Sequence, residues 1–184
     1  MYIIENISIK EYYELQDSSD YDIFIETING KNEFNGRRCS ISTLTFDEVE
    51  VIKNIFLSAN MDNIQMLFIE LFKLGSYECS AVNEFLNASI FDLFRAKKHI
   101  QDYIIKVIET ENTQLAGIPD DKLIMVKAGE RLKAVSHLLT KMRLAEQFST
   151  TPIDIGKWNY NTVFTILIAN KRSNDVQRDY QNIK

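Results

Sequence analysis

The side chains best suited to catalysis or metal binding are few in this sequence and widely spaced. The only histidines are His99 and His137, and the only cysteines are Cys39 and Cys79. A nucleophile needs a base within hydrogen-bond reach, and a zinc site needs several Cys or His ligands at short spacing. Neither pattern is present. We therefore interpret the histidines as packing or surface residues, and the cysteines as reduced thiols that are buried or half-buried.

Carboxylates and sequence motifs give no stronger catalytic signal. Glu109, Glu111 and Glu130 are candidates for paired carboxylates, but exposed charges at helix ends are the favoured interpretation because no perturbing environment is evident. No GxxxxGK[ST], GxGxxG, GxSxG or HExxH motif occurs. The sequence thus predicts a non-enzymatic protein with no cofactor and no metal. An enzyme whose site is built from scattered polar residues is the alternative.

Hydrophobic periodicity over residues 80–148 predicts two antiparallel helices joined at residues 117–120. Ser80 is expected to cap the first arm, residues 81–116, and Asp120 the second. The apolar stripes of the two arms comprise Val82, Leu86, Ile90, Leu93, Ile100, Ile104, Val107, Ile108 and Leu115, and then Ile124, Ala128, Leu132, Val135, Leu138, Leu139, Met142, Ala145 and Phe148. Both stripes are expected to be buried, which predicts a mainly α helical bundle built on this long hairpin.

Capping boxes predict two helices before the hairpin. A Ser-x-x-Glu box at residues 8–11 indicates a short helix near 9–16, and a Thr-x-x-Glu box at 45–48 indicates a helix over about 45–58. Another helix is expected to begin at residue 60 or 61 and to end at Leu74-Gly75. It would pair with its predecessor as a second, shorter hairpin.

Residues 21–42 leave two alternatives open. The Asn29-Gly30 and Asn35-Gly36 dipeptides are hairpin-turn signals, and they favour a small β-meander across residues 22–42. The segments between these turns are short, so an irregular excursion carrying Gly36-Arg37-Arg38 is equally compatible.

The C-terminal part predicts a last helix that continues into a polar tail. Pro152 is expected to interrupt helical structure after Phe148. Residues 1–170 are expected to form one helical domain, with residues 1–44 irregular or a small β subregion, and residues 171–184 a projecting helical tail. We predict that this tail docks on a partner. The candidate partner-binding residues are Trp158, Tyr160, Lys171, Arg172, Val176, Arg178, Tyr180 and Ile183. For Trp158 the alternative is that it fastens the last helix to the core.

Charge is unevenly distributed along the chain. Residues 1–50 hold 11 acidic and 4 basic residues, residues 51–120 hold 9 and 6, and residues 121–184 hold 6 and 11. Ordinary solvated surface is one interpretation. In the other, an acidic flank meets a basic flank of a second copy or of a partner, head to tail, and such contacts can close into a ring.

Composition excludes several classes of protein. With 45% hydrophobic residues, two prolines and six glycines in 184 residues, the chain favours long helices in a soluble globular fold. We expect no signal peptide and no membrane span, and hence a cytosolic protein. Sequence-specific nucleic-acid binding is not expected from isolated basic pairs such as Arg37-Arg38 and Lys171-Arg172, although DNA running past an assembly would remain compatible.

The long hairpin, the stretch Thr151-Pro152-Ile153-Asp154-Ile155-Gly156-Lys157-Trp158-Asn159-Tyr160-Asn161-Thr162-Val163-Phe164 and the polar tail together resemble small helical structural proteins of tailed bacteriophages, including those of crAss-like phages. The resemblance covers roughly residues 45–184 and includes head-tail connector (adaptor) rings and tail-assembly chaperones. It implies a virion protein assembled in the host cytoplasm, present as a homo-oligomeric ring beneath the portal, with portal or tail components as partners. The alternative is an assembly chaperone that is absent from the finished particle.

Overall fold

The computed structural model describes residues 6–15, 27–58, 61–75, 77–117, 124–132 and 135–183. These residues are mainly α, as predicted, and they contain no β-strand. A 3-10 helix spans Ile41–Thr43. The α-helices of the described residues are α1 (Ile9–Tyr13), α2 (Phe46–Ser58), α3 (Met61–Leu71), α4 (Glu78–Leu86), α5 (Ile90–Gln114), α6 (Ala128–Leu132), α7 (Ser136–Gln147), α8 (Pro152–Gly156) and α9 (Tyr160–Asn182). None of them combines the length and apolar character needed to cross a membrane.

The chain divides into two compact units. The first consists of Met1–Ile41 and Ile52–Lys106, and the second of Ser42–Val51 and Val107–Lys184. The predicted division into one domain and a C-terminal tail stays a prediction.

The core of the first unit is an aromatic cluster around Phe34. This side chain is fully buried, and its ring centroid lies 5.2 Å from that of Phe68, 5.5 Å from that of Phe72 and 5.7 Å from that of Phe85. Edge-on and tilted rings at these distances attract one another in addition to burying apolar area. A loop residue therefore holds α3 and α4 together.

The first arm of the predicted hairpin is two helices, so the prediction of one uninterrupted helix over residues 81–116 was wrong. The chain leaves helical geometry between α4 and α5, where the N-terminal segment pairs with it: Ile9 N–H donates to Ala88 C=O over 2.9 Å and Ile90 N–H donates to Ile7 C=O over 3.0 Å. The Ser89 hydroxyl caps α5 by accepting from Phe91 N–H at 3.2 Å. The break is stable because these partners replace the missing helical hydrogen bonds.

Ser80 is not the cap of the first arm. Helix α4 begins at Glu78, and the Ser80 hydroxyl accepts from Tyr77 N–H at 3.2 Å and donates to Tyr77 C=O at 2.8 Å. The start of the helix is therefore three residues earlier than predicted. Asp120, the expected cap of the second arm, lies outside the described residues.

The second arm also differs from the single buried helix that was predicted. Lys127 has a φ of 52°, which interrupts helical geometry before α6, and α7 begins separately at Ser136. The apolar stripe of the second arm is largely exposed, from Ile124 at 59% to Met142 at 51%. Burial of this stripe was therefore a wrong prediction within the described residues, and it leaves an apolar surface on α7.

Both capping boxes are confirmed. The Ser8 hydroxyl accepts from Glu11 N–H while the Glu11 carboxylate accepts from Ser8 N–H, at 3.2 and 2.8 Å. The Thr45 and Glu48 pair does the same at the start of α2, at 3.3 and 2.6 Å. Helix α3 ends near the predicted place, where Gly75 has a φ of 58°. The pairing of α2 with α3 stays a prediction.

Over residues 27–42 the irregular alternative is confirmed, and residues 21–26 lie outside the described part. Asn35 and Gly36 have φ values of 47° and 73°, while Phe34 and Arg37 exchange two backbone hydrogen bonds of 2.9 Å. This is a tight two-residue turn without flanking strands. The turn predicted at Asn29-Gly30 was wrong. Gly30 instead lies against α5, where a Cβ on this residue would be 2.9 Å from the backbone nitrogen of His99.

The second unit joins the start of α2 to the start of α9. Phe46 N–H donates to Trp158 C=O over 2.8 Å, and Tyr160 N–H donates to Leu44 C=O over 2.9 Å. The Phe46 and Tyr160 rings stack with centroids 6.4 Å apart. These contacts hold the first turn of α9 in place.

Candidate interaction surfaces

Trp158 and Tyr160 lie at the anchored end of α9. The Tyr160 side chain is 5% exposed, and its hydroxyl donates to the Glu111 carboxylate over 2.7 Å. The Trp158 ring is half-buried and packs edge-on against Phe148, with centroids 5.4 Å apart. These contacts match the alternative in which Trp158 fastens the last helix. A partner-binding role for either residue stays a prediction, and for Tyr160 little surface is left to contact a partner.

Two of the predicted partner-binding cations further along α9, Lys171 and Arg178, form ion pairs within the helix. Lys171 pairs with Asp175 over 2.6 Å, and Arg178 reaches the same carboxylate at 3.1 Å. The hydrogen bond from Lys171 is the main cause that lowers the pKa of Asp175. Arg172 is exposed. Pairs spaced three and four residues apart stabilise an exposed helix, so the polar tail is helical as predicted.

The apolar residues at the end of α9 are exposed. Val176, Tyr180 and Ile183 are 68%, 77% and 80% exposed, and their spacing of four and three places them on one side of the chain. We call these three residues the C-terminal stripe. A row of large apolar side chains in water favours association with another surface.

A second apolar row lies on α7. Val135, Leu138, Leu139 and Met142 are 38%, 41%, 42% and 51% exposed, at positions i, i+3, i+4 and i+7. We call these four residues the α7 stripe. Their helical periodicity was predicted from the sequence, but they were expected to be buried in the core. The spacing is that of a face that packs against another helix.

The opposite side of α7 attaches to the second unit. Leu144 is fully buried and Ala145 is 4% exposed. The Lys141 ammonium, on a side chain only 14% exposed, pairs with the Asp47 carboxylate over 2.8 Å. These contacts set the rotation of α7, and they leave the α7 stripe facing solvent.

A pocket of about 360 Å³ lies between α7 and α9. Its lining combines apolar and polar side chains: Leu115, Thr140, Arg143, Leu144, Leu167, Asn170, Lys171, Asn174 and Asp175. An adjoining pocket of about 270 Å³ shares Arg143, Asn170 and Asn174. Reciprocal amide hydrogen bonds of 2.7 and 3.3 Å between Asn170 and Gln147 lie beside them. The pockets contain no histidine or cysteine to act as nucleophile or base.

The histidines and glutamates considered as catalytic or metal-binding residues do not form a cluster among the described residues. In the part of the chain that the structure describes, no three His, Cys, Asp or Glu side chains are placed to hold a metal ion. His137 is exposed on α7, and His99 is half-buried where α5 passes Gly30. Glu109 and Glu130 are exposed, whereas Glu111 binds the Tyr160 hydroxyl.

The two cysteines have different environments. Cys39 is buried, as expected, with its backbone held by the side chain of Asn32, whereas Cys79 is exposed, contrary to the prediction. No disulfide joins these two described residues. Cys79 lies in the first turn of α4.

Arg37, one residue of the basic pair Arg37-Arg38, forms its contacts within the first unit. Its guanidinium pairs with the Glu84 carboxylate over 2.9 Å and donates to the Lys73 carbonyl. Glu84 also accepts from Asn35 and from Gly75 N–H. Arg37 therefore closes the turn against α4.

Comparison with protein-family models, with curated proteins and with solved structures finds no match for this chain.

Proposed function

We propose that this chain is a non-enzymatic assembly subunit: a homo-oligomeric head-tail connector (adaptor) ring protein of a tailed bacteriophage. The observation that supports association is the C-terminal stripe. Helix α9 is fixed at Tyr160, and its other end carries Val176, Tyr180 and Ile183 with at least 68% of each side chain exposed. Burying those side chains on a neighbouring surface is favourable by about 1.5–3 kcal/mol for each large apolar group.

The connector assignment rests on the resemblance of residues 45–184 to phage structural proteins. In this proposal the subunits are helical bundles in which α5 and α7 form an antiparallel hairpin. The C-terminal stripe docks on a neighbouring subunit or on the portal or tail components. The ring belongs to the virion, is assembled in the host cytoplasm, and lets DNA pass without reading its sequence.

An assembly chaperone is the second candidate. The exposed α7 stripe favours it, because transient binding of another virion protein needs an accessible apolar surface. Mass spectrometry of purified virions separates the two candidates. A connector is present in stoichiometric amounts, whereas a chaperone is missing from the particle.

Paired substitutions on α9 test the docking of the C-terminal stripe. V176E/Y180E places two charges in the stripe, and Q177E/Q181E places the same two charges on another face of the same helix. We expect native mass spectrometry and sedimentation to show an assembly for the wild type and for Q177E/Q181E, and a smaller species for V176E/Y180E. A wild type that is monomeric at every concentration, with or without virion partners, would overturn the proposal.

A further inference from the structure

We draw no further inference here: the strongest candidate, the exposed apolar row of Val135, Leu138, Leu139 and Met142 on α7, carries nothing, because the charges bordering it have both signs and nothing in the described part of the chain shows what covers it.

Discussion

The Tyr160 hydroxyl donates to the Glu111 carboxylate across 2.7 Å and thereby ties the first turn of α9 to the last part of α5. Both residues belong to the second unit. The Tyr160 ring also stacks with the Phe46 ring and with the Phe164 ring, at centroid distances of 6.4 and 5.8 Å. One side chain thus combines apolar packing with a charge-assisted hydrogen bond, and the position of the tail depends on it.

Replacing Tyr160 with Phe keeps the ring and removes the hydroxyl. We expect the free energy of unfolding to fall by about 1–2 kcal/mol, because the hydrogen bond to a charged acceptor is lost. Urea denaturation followed by circular dichroism measures the change. Tyr180→Phe is the matched control, since that ring is 77% exposed and its loss of a hydroxyl should leave stability unchanged. Equal effects of the two substitutions would contradict the buried bond.

Gly30 is required by the close approach of its loop to α5. A Cβ at this position would lie 2.9 Å from the backbone nitrogen of His99 and 3.0 Å from its Cα. These atoms belong to the backbone of a helix, which cannot move aside easily. We expect Gly30→Ala to destabilise the protein by about 1–3 kcal/mol in urea denaturation. Gly129→Ala in α6, with nothing within 4 Å, should instead be neutral or stabilising by up to about 1 kcal/mol. A Gly30→Ala variant as stable as the wild type would show that the loop does not pack there.

The two cysteines should react at different rates with a thiol reagent. Cys79 is exposed, whereas Cys39 is 5% exposed. Under native conditions we expect one fast equivalent of released thionitrobenzoate from Ellman's reagent, and a second only after unfolding. In Cys79→Ser the fast equivalent should disappear. Two fast equivalents in the native wild type would contradict the burial of Cys39.

Acid stability should depend on the cap of α8. The Thr151 hydroxyl donates to the Asp154 carboxylate at 2.6 Å, and this bond is the main cause that lowers the pKa of Asp154. A carboxyl group with a lowered pKa stabilises the folded state above its unfolded pKa, and this contribution is lost as the pH falls through the folded pKa. We expect Thr151→Val to raise the pKa of Asp154 toward its ordinary value and to flatten the loss of stability below about pH 4.

Carboxyl resonances followed by NMR titration, together with urea midpoints measured from neutral to acid pH, test this prediction. Lys157→Gln is the comparison, because its ammonium lies 3.8 Å from the Asp154 carboxylate and contributes less to the lowered pKa than Thr151 does. An unchanged Asp154 titration in Thr151→Val would contradict the assigned cause.

Local signals predicted the helices well. The boxes at Ser8 and Thr45 marked the starts of α1 and α2, and Pro152 marked the end of helical structure after α7. Such signals work because a cap needs only a side chain and a backbone N–H a few residues apart. The row at Val176 and Tyr180 was also evident from its spacing alone.

Tertiary structure decided which apolar rows are covered and where long helices break. The spacing of Leu138 and Met142 is the same as that of a buried stripe, so periodicity alone could not distinguish them from the core. Their exposure depends on the distant contact of Lys141 with Asp47, which sets the rotation of α7. Similarly, the break before Ile90 exists because Ile7, more than eighty residues away in sequence, accepts its backbone hydrogen bond. Contacts of this range leave no local pattern in the sequence, because burial depends on which surfaces the folded chain brings together.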